Sequence, residues 1–282
     1  LDIPTFKVLK QDGTLYKGAQ EPEFDKEMAL KLYDDLVFIR VLDERMVGAQ
    51  RQGRIPFYLA SLGEEAASVG SAGALKPQDM IFAQYREQGA LRHRGFSVDQ
   101  FMDQCFSNER DLGKGRQMPI HYGSKALNYN TISSPLGTQI PQAAGYAYGQ
   151  KLDGIDACTI CYFGEGAASE GDFHAGLNMA AVLKCPTIFL CRNNGYAIST
   201  PSAEQFSGDG VASRGIGYGI ATLRVDGNDL LAVYAATAAA RAYALEHNAP
   251  VLIEAMSYRL GAHSTSDDPT GYRSKDEEAQ WA

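Results

Sequence analysis

Apolar and polar positions along this chain follow two alternating rhythms. Short apolar runs, CTICYF at 158–163 and PTIFLC at 186–191, each fit a strand buried on both faces, and LRV at 223–225 and VLIEAM at 251–256 read as two further strands. Residues 79–83 add a fifth candidate. The stretches between them carry helical spacing. Residues 25–53 repeat Leu30, Leu32, Leu36, Ile39, Leu42 and Met46, and Gly53 stops the run. Residues 63–75 are rich in Ala, Gly and Ser, which permits close helix packing, either internal or between subunits, and 140–149 reads as an Ala/Gly/Tyr helix. Ser169-Glu170-Gly171-Asp172 offers capping groups ahead of Leu177, Ala180, Ala181 and Leu183. Asp226-Gly227-Asn228-Asp229 does the same for an Ala-rich helix over 230–247. Strands separated by helices predict an α/β fold, a doubly wound parallel sheet. No repeat or linker divides it, so 25–282 reads as one domain, preceded by a polar, extended N-terminal arm over 1–24.

Composition changes this picture little. The chain has 282 residues, 45% apolar and 21% charged, with a formal charge of −8, which suits an ordinary globular core. No basic run interleaved with aromatics suggests nucleic acid, and no apolar segment approaches a membrane span. No signal-peptide or transit-like pattern opens the sequence, and a presequence already removed would leave no trace. Cysteines 105, 158, 161, 185 and 191 are odd in number. Cys158 and Cys161 invite a redox or zinc reading, but residues three apart on a strand point to opposite faces. They are expected to be reduced core thiols, in keeping with a cytoplasmic or mitochondrial-matrix setting.

The chemistry concentrates where strand meets turn. Residues 158–196 read as strand, turn, helix, strand, one βαβ unit. Ligands of a parallel sheet bind beyond the carboxyl ends of its strands. Glu165 lies just past one such end and Asn194 just past the next, so both can face one point. A carboxylate and an amide oxygen are hard ligands of the kind Mg²⁺ takes, an ion that keeps phosphate and water in its other positions. Gly164 and Gly166 let backbone N–H groups approach phosphate at a helix start. The expectation is a Mg²⁺-diphosphate site. Tyr85-Arg86, at the end of the 79–83 strand, fits either a phosphate contact or a solvated helix start. The long Gly-rich loop 108–131 holds His121, with a structural or a catalytic role open to it. Residues 132–139, ISSPLGTQ, can cap the following helix, hold a monovalent cation or meet a cofactor ring. His263 follows the 251–256 strand in a Gly/Ser/Asp loop expected to be mobile, on the same side of the sheet as Glu165 and Asn194.

The turn Gly164-Glu165-Gly166 with paired Asn193-Asn194 resembles the thiamine diphosphate fingerprint, with Glu in place of the usual Asp. RQGRIPFY, GEEAASVGSAGAL, AQYREQGAL, GKGRQMPIHYG, TISSPLGTQIPQA, CYFGEGAASEGD, CRNNGYAISTP, RVDGND and YRLGAHSTSDDP occur in that order. Together they resemble the alpha subunits of 2-oxo acid dehydrogenase complexes, the thiamine diphosphate-dependent decarboxylase component, most of all the branched-chain type. The resemblance implies a thiamine diphosphate-binding fold, with thiamine diphosphate, Mg²⁺ and K⁺ as cofactors. By this likeness Glu165, Asn194 and the Tyr196 carbonyl would hold Mg²⁺. Tyr85, Arg86, Gly164, Gly166, Ala167, Arg192 and His263 would meet the diphosphate, and Ser134 and Leu136 the aminopyrimidine. Ser133, Pro135, Thr138 and Gln139 would form the K⁺ site. His263 would also be the catalytic proton donor in acyl transfer, and Ser264 the kinase-regulated position.

The resemblance further implies oxidative decarboxylation of branched-chain 2-oxo acids and transfer of the acyl group to a lipoyl arm on a transacylase component. The partner would be a beta subunit in an α2β2 assembly, which supplies the carboxylate that activates the aminopyrimidine. The location would be cytoplasmic in a bacterium and the mitochondrial matrix in a eukaryote. Ala262 stands where many eukaryotic members have a second His, Gly137 where Ala is usual, and the C-terminal part of the family is missing. The RQGRIPFY and GRQMPIHYG segments favour the branched-chain type over the pyruvate-specific alternative. A nicotinamide-dependent oxidoreductase would need GxGxxG after the first strand, which is not found. A non-catalytic scaffold would have lost Glu165 and Asn194.

Overall fold

A computed structural model describes residues 2–281. Among them the strands are β1 (Thr5–Phe6), β2 (Met80–Phe82), β3 (Thr159–Gly164), β4 (Thr187–Asn193), β5 (Tyr196–Ala197), β6 (Thr200–Pro201), β7 (Ala221–Asp226) and β8 (Val251–Met256). The helices are α1 (Lys26–Arg51), α2 (Glu65–Gly73), α3 (Gln88–His93), α4 (Val98–Cys105), α5 (Gln139–Leu152), α6 (Gly171–Leu183), α7 (Ser202–Gln205), α8 (Ala212–Gly217), α9 (Leu230–His247) and α10 (Lys275–Trp281). Six strands form one sheet in the order β1-β7-β8-β4-β3-β2, and every pairing in it is parallel.

The sheet is covered on both faces, as the unbroken apolar runs require. Ile160, Tyr162, Ile188, Leu190 and Ile253 pack with Ile39 and Met46 of α1 and Ala236 and Ala240 of α9. Their neighbours Cys161, Phe163, Phe189, Cys191 and Leu252 point the other way, into Ala143 and Ala147 of α5 and Phe173 and Leu177 of α6. Truncating a ring such as Phe163, fully buried here, would cost about 3–5 kcal/mol. The same alternation puts Cys158 on the first face and Cys161 on the second, so they make no pair. The five cysteines are buried free thiols, and burial pushes those of Cys105 and Cys185 up to about 11.

Several expectations shift in detail. On α1 the core face is Leu32, Ile39, Leu42 and Met46, while Leu30 turns to solvent beside Tyr33 and Val37. The small residues of α2 serve internal packing: a Cβ on Gly70 would lie 2.9 Å from the Leu230 carbonyl at the start of α9. β4 runs on through Arg192 and Asn193, polar residues that end an apolar run in sequence but remain buried here. The N-terminal arm supplies an edge strand, Thr5 pairing with Arg224, too short to carry a readable period. The Asp229 carboxylate fastens it, accepting from the Val8 and Leu9 N–H groups at 2.6 Å while capping α9 through Ala232 N. No helix among the described residues is long and apolar enough to cross a membrane.

Candidate active site

The register of β3 against β4 builds the floor of the site. Gly164 pairs with Arg192, so Glu165 and Asn194 emerge beyond the same edge of the sheet. A cavity of about 460 Å³ opens there. Gly166 is required by close approach, since a Cβ would fall 2.7 Å from that of Ala197 on the β5–β6 hairpin. The first turn after it uses the N–H groups of Ala168, Ser169 and Glu170, so those of Gly166 and Ala167 stand ahead of these bonds. The hairpin turns through Ile198 at φ 56°, a strained conformation for a β-branched residue, and Arg259 Nη2 donates to its carbonyl at 2.7 Å.

Glu165 is 1% exposed, and its Oε1 has no hydrogen-bond partner among the described residues. Burial pushes its carboxyl up to about 7, the nearby Glu64 adds to the rise, and the Asn194 backbone N–H opposes it. A buried carboxylate oxygen without a donor is what a cation ligand looks like before its cation is considered. The Asn194 side chain accepts from Tyr196 N at 3.1 Å through Oδ1 and donates through Nδ2 to Glu64 Oε1 at 3.2 Å. The Tyr196 carbonyl receives a long contact from Arg259, 3.4 Å. No group of three or more His, Cys, Asp or Glu side chains is placed to hold a metal among the described residues. The donor set is instead a carboxylate, an amide oxygen and a main-chain carbonyl, all hard oxygens, and it fits Mg²⁺.

Behind the floor lies a buried charge cluster. Arg192, 1% exposed, donates to Glu64 at 2.6 Å and to Glu87 at 2.5 Å. Burial alone would raise the Glu64 pKa, but Arg192 and Arg86 outweigh it and hold the carboxyl below its ordinary value. Glu87 in turn accepts from the Gln84 and Tyr85 N–H groups and so fixes the turn that presents Tyr85 and Arg86. Arg86 donates to the carbonyls of Ala60 and His263, and its Nη2 lies 3.2 Å from His263 Nδ1. A guanidinium can only donate, so Nδ1 accepts and the ring hydrogen sits on Nε2. Burial, then Arg86 and Arg259, lower the His263 pKa to about 4, so at neutral pH it donates as an uncharged imidazole.

The opposite wall is less polar: Phe57, Leu59, Met118 and Leu136 line it. Ser134 Oγ lies 2.9 Å from His121 Nε2, and His121 Nδ1 lies 3.1 Å from the Pro119 carbonyl. A carbonyl accepts only, so Nδ1 carries the hydrogen and Nε2 accepts from the serine hydroxyl.

The cavity therefore brings together Tyr85, Arg86, Ser134, Leu136, Gly164, Glu165, Gly166, Ala167, Arg192, Asn194, Tyr196 and His263. Ser133, Pro135, Thr138 and Gln139 do not line it. They sit on the approach to α5, and the buried Gln139 side chain spends an N–H on the Tyr162 carbonyl at 3.0 Å. Ser264 is half-buried on the far side of its loop, facing a second cavity of about 380 Å³, and its Oγ accepts from Ser266 N. That loop, expected to be mobile, is pinned in this structure: Tyr58 and Thr265 exchange two hydrogen bonds at 3.1 Å, and Arg273 donates to the Arg259 and Gly261 carbonyls. The sequence reading missed Glu64, Glu87, Gln84 and Arg259. Its one available signal was a pair of acids, Glu64-Glu65, opening a helix of small residues.

A family model described as "Dehydrogenase E1 component" matches residues 33–282. The chain is 57% identical to the mitochondrial 2-oxoisovalerate dehydrogenase subunit alpha of Dictyostelium discoideum, over 99% of this chain and 64% of that protein. It is 56% identical to the Homo sapiens protein of the same name, over 99% of this chain and 63% of the other. For the Caenorhabditis elegans protein of that name the identity is 57%, over 99% and 65%. The chain thus spans less than two thirds of the length of these relatives. A solved Mycobacterium smegmatis structure titled as a putative thiamin diphosphate-dependent enzyme aligns at a TM-score of 0.47 and 19% identity, over 72% of this chain and 33% of that one, a likeness too distant to add weight.

Proposed function

We propose that this chain, which belongs to the dehydrogenase E1 component family, is the alpha part of a thiamine diphosphate-dependent branched-chain 2-oxo acid dehydrogenase. Its substrate would be of the 3-methyl-2-oxobutanoate type. It works with a beta subunit in an α2β2 assembly and passes the acyl group to the lipoyl arm of a transacylase. The observation that carries the reading is the partnerless Glu165 oxygen on the floor of a cavity walled by Arg86, Arg192 and His263.

Glu165, Asn194 and the Tyr196 carbonyl would hold Mg²⁺. Arg86, Arg192, Tyr85, the Gly166 and Ala167 N–H groups and the His263 Nε2–H would hold the diphosphate. Ser134 and Leu136 would meet the aminopyrimidine, and Ser133, Pro135, Thr138 and Gln139 would supply a K⁺ shell. When bound, thiamine diphosphate supplies the electron sink that lets carbon dioxide leave. The chain's own part is placement and exclusion. The His121–Ser134 pair fixes which atom of the serine faces the ring, because its hydrogen is committed to Nε2. Phe57, Leu59, Met118 and Leu136 make that end of the cavity apolar and suit a branched aliphatic side chain better than a charged one. His263, the proposed residue for transfer to the lipoyl arm, would assist it by donating a hydrogen bond from Nε2–H, since the uncharged ring has no second proton to release. Ser264 would be a regulatory position, since a phosphate there would add about two negative charges to the loop that carries His263, from the side facing the second cavity. The mitochondrial matrix is the proposed location, in keeping with the relatives' printed names and with buried free thiols.

Co-expression with a beta subunit tests this. The assembly should oxidise 3-methyl-2-oxobutanoate with a higher kcat/KM than pyruvate, and the chain alone should be inactive. Preference for pyruvate would overturn the substrate assignment.

A further inference from the structure

Two groups close to Asn194 have a fixed polarity. The Tyr196 backbone N–H can only donate, and the Glu64 carboxylate, ionised between Arg192 and Arg86, can only accept. An asparagine amide has one oxygen and one NH₂ end, and either could face the cavity if its surroundings were neutral. Here the donor meets Oδ1 at 3.1 Å and the acceptor meets Nδ2 at 3.2 Å. Glu64 is fully buried and sits 130 residues away in sequence, at the N-terminal end of α2. Its Oε1 is shared between Arg192 at 2.6 Å and Asn194, and its Oε2 has no hydrogen-bond partner among the described residues.

We propose that Glu64 is a positioning residue for the cation site, holding the Asn194 amide in the one orientation that turns its oxygen toward the ion. The inference rests on the reading of Glu165 and Asn194 as cation ligands and goes beyond it by naming what sets the ligand's orientation. A flipped Asn194 would present an NH₂ group to a cation and would place its oxygen against the Glu64 carboxylate. Groups that orient a metal ligand typically alter metal affinity about 10–100-fold when removed.

The test measures Mg²⁺-dependent thiamine diphosphate binding by calorimetry on the assembled α–β complex, with thermal melting alongside. Glu64→Gln, which can offer either an oxygen or an NH₂ group, should weaken Mg²⁺ about 10–100-fold. Asn194→Asp keeps the Arg192 pairs intact and adds negative charge to the site, so by charge alone it should tighten Mg²⁺. If Glu64 acts as proposed it weakens it instead, because two carboxylates then face each other. The double variant Glu64→Gln with Asn194→Asp reverses the hydrogen bond, with the introduced amide donating its NH₂ to the introduced carboxylate. It should bind Mg²⁺ at least ~10-fold better than the product of the single effects, since contacting partners are non-additive. Tighter binding by Asn194→Asp overturns the proposal, even if Glu64→Gln fails to assemble. So do multiplicative effects, or a Glu64→Gln complex of unchanged Mg²⁺ affinity, while the cation reading survives all three. Cofactor binding by the unaltered complex that ignores Mg²⁺ would instead remove the cation reading and this inference with it.

Discussion

The two rims of the cavity are built on different principles. The floor, Glu165 and Asn194, is set by main-chain register: Gly164 opposite Arg192 brings the ends of both strands to one edge. The other rim, residues 258–273, has no strand or α-helix and is tied down by side chains reaching to backbone. Arg86 and Arg273 hold its carbonyls, Thr265 grips Tyr58, and Asp267 accepts from His263 N at 2.8 Å and the Tyr272 hydroxyl at 2.5 Å. The difference teaches where rigidity comes from. A strand end inherits the sheet's cooperativity, whereas a tethered loop is as firm as its few individual bonds.

The sharpest way to break this contrast is to remove what braces the floor from beneath. Arg192→Met keeps the volume but strips the buried Glu87 of its ion-pair partner and leaves the buried Glu64 with only the longer Arg86 contact at 3.7 Å. We expect destabilisation of about 3–5 kcal/mol, read as a lower urea midpoint. Unchanged stability would mean that register alone holds the floor. A change of that size is a large part of a domain's total stability, so loss of cofactor binding should accompany it.

A smaller effect probes the anchor beneath the tethered rim. Asp43 on α1 accepts from the Tyr58 hydroxyl at 2.8 Å and from Ser61 N and Oγ, and Tyr58 is the residue that Thr265 grips. Burial raises the Asp43 pKa from 3.8 to about 6, against the pull of those donors. Between these values the folded chain binds a proton that the unfolded chain has lost. Stability should therefore fall as pH rises through this window and level off above about 6, a change of up to ~3 kcal/mol from this group. Asp43→Asn should flatten that part of the stability–pH curve. An identical slope in the variant would show that other groups carry it.

How far each rim was legible stems from the same contrast. Apolar runs at 158–163 and 186–191 disclosed two strand ends, and the chemistry just past them was readable as Glu165 and Asn194. Arg192 came only through resemblance, as a diphosphate contact, and the structure shows it first as an internal brace. Glu87 left no local signature and Glu64 only its place in an acid pair at a helix start, because their partners lie 105 and 128 residues away. Composition suggested a mobile segment around His263, since Gly, Ser and Asp in a row carry no periodic pattern. Its tethers come from Arg86, Tyr58 and Arg273, which only tertiary folding brings near. The arm's edge strand was likewise invisible, being two residues long and fastened by Asp229 from across the chain.

The smallest effect separates the rims most cleanly. Thr265→Val removes one hydroxyl at nearly unchanged volume, and the Tyr58 N–H loses its acceptor while Thr265 N still donates to the Tyr58 carbonyl. One hydrogen bond of this kind contributes about 0.5–1.5 kcal/mol. On a sheet strand such a loss is shared among neighbours, but here few other bonds hold the segment between Gly261 and Asp268. We expect amide hydrogen exchange there to quicken roughly fivefold, the equivalent of about 1 kcal/mol, with exchange in β3 and β4 unchanged. Mg²⁺ affinity at Glu165 and Asn194 should also be unchanged, since neither touches this tether. Faster exchange on β3 or β4 in the variant would mean that the rims are mechanically one unit and that the tethered loop also stabilises the floor.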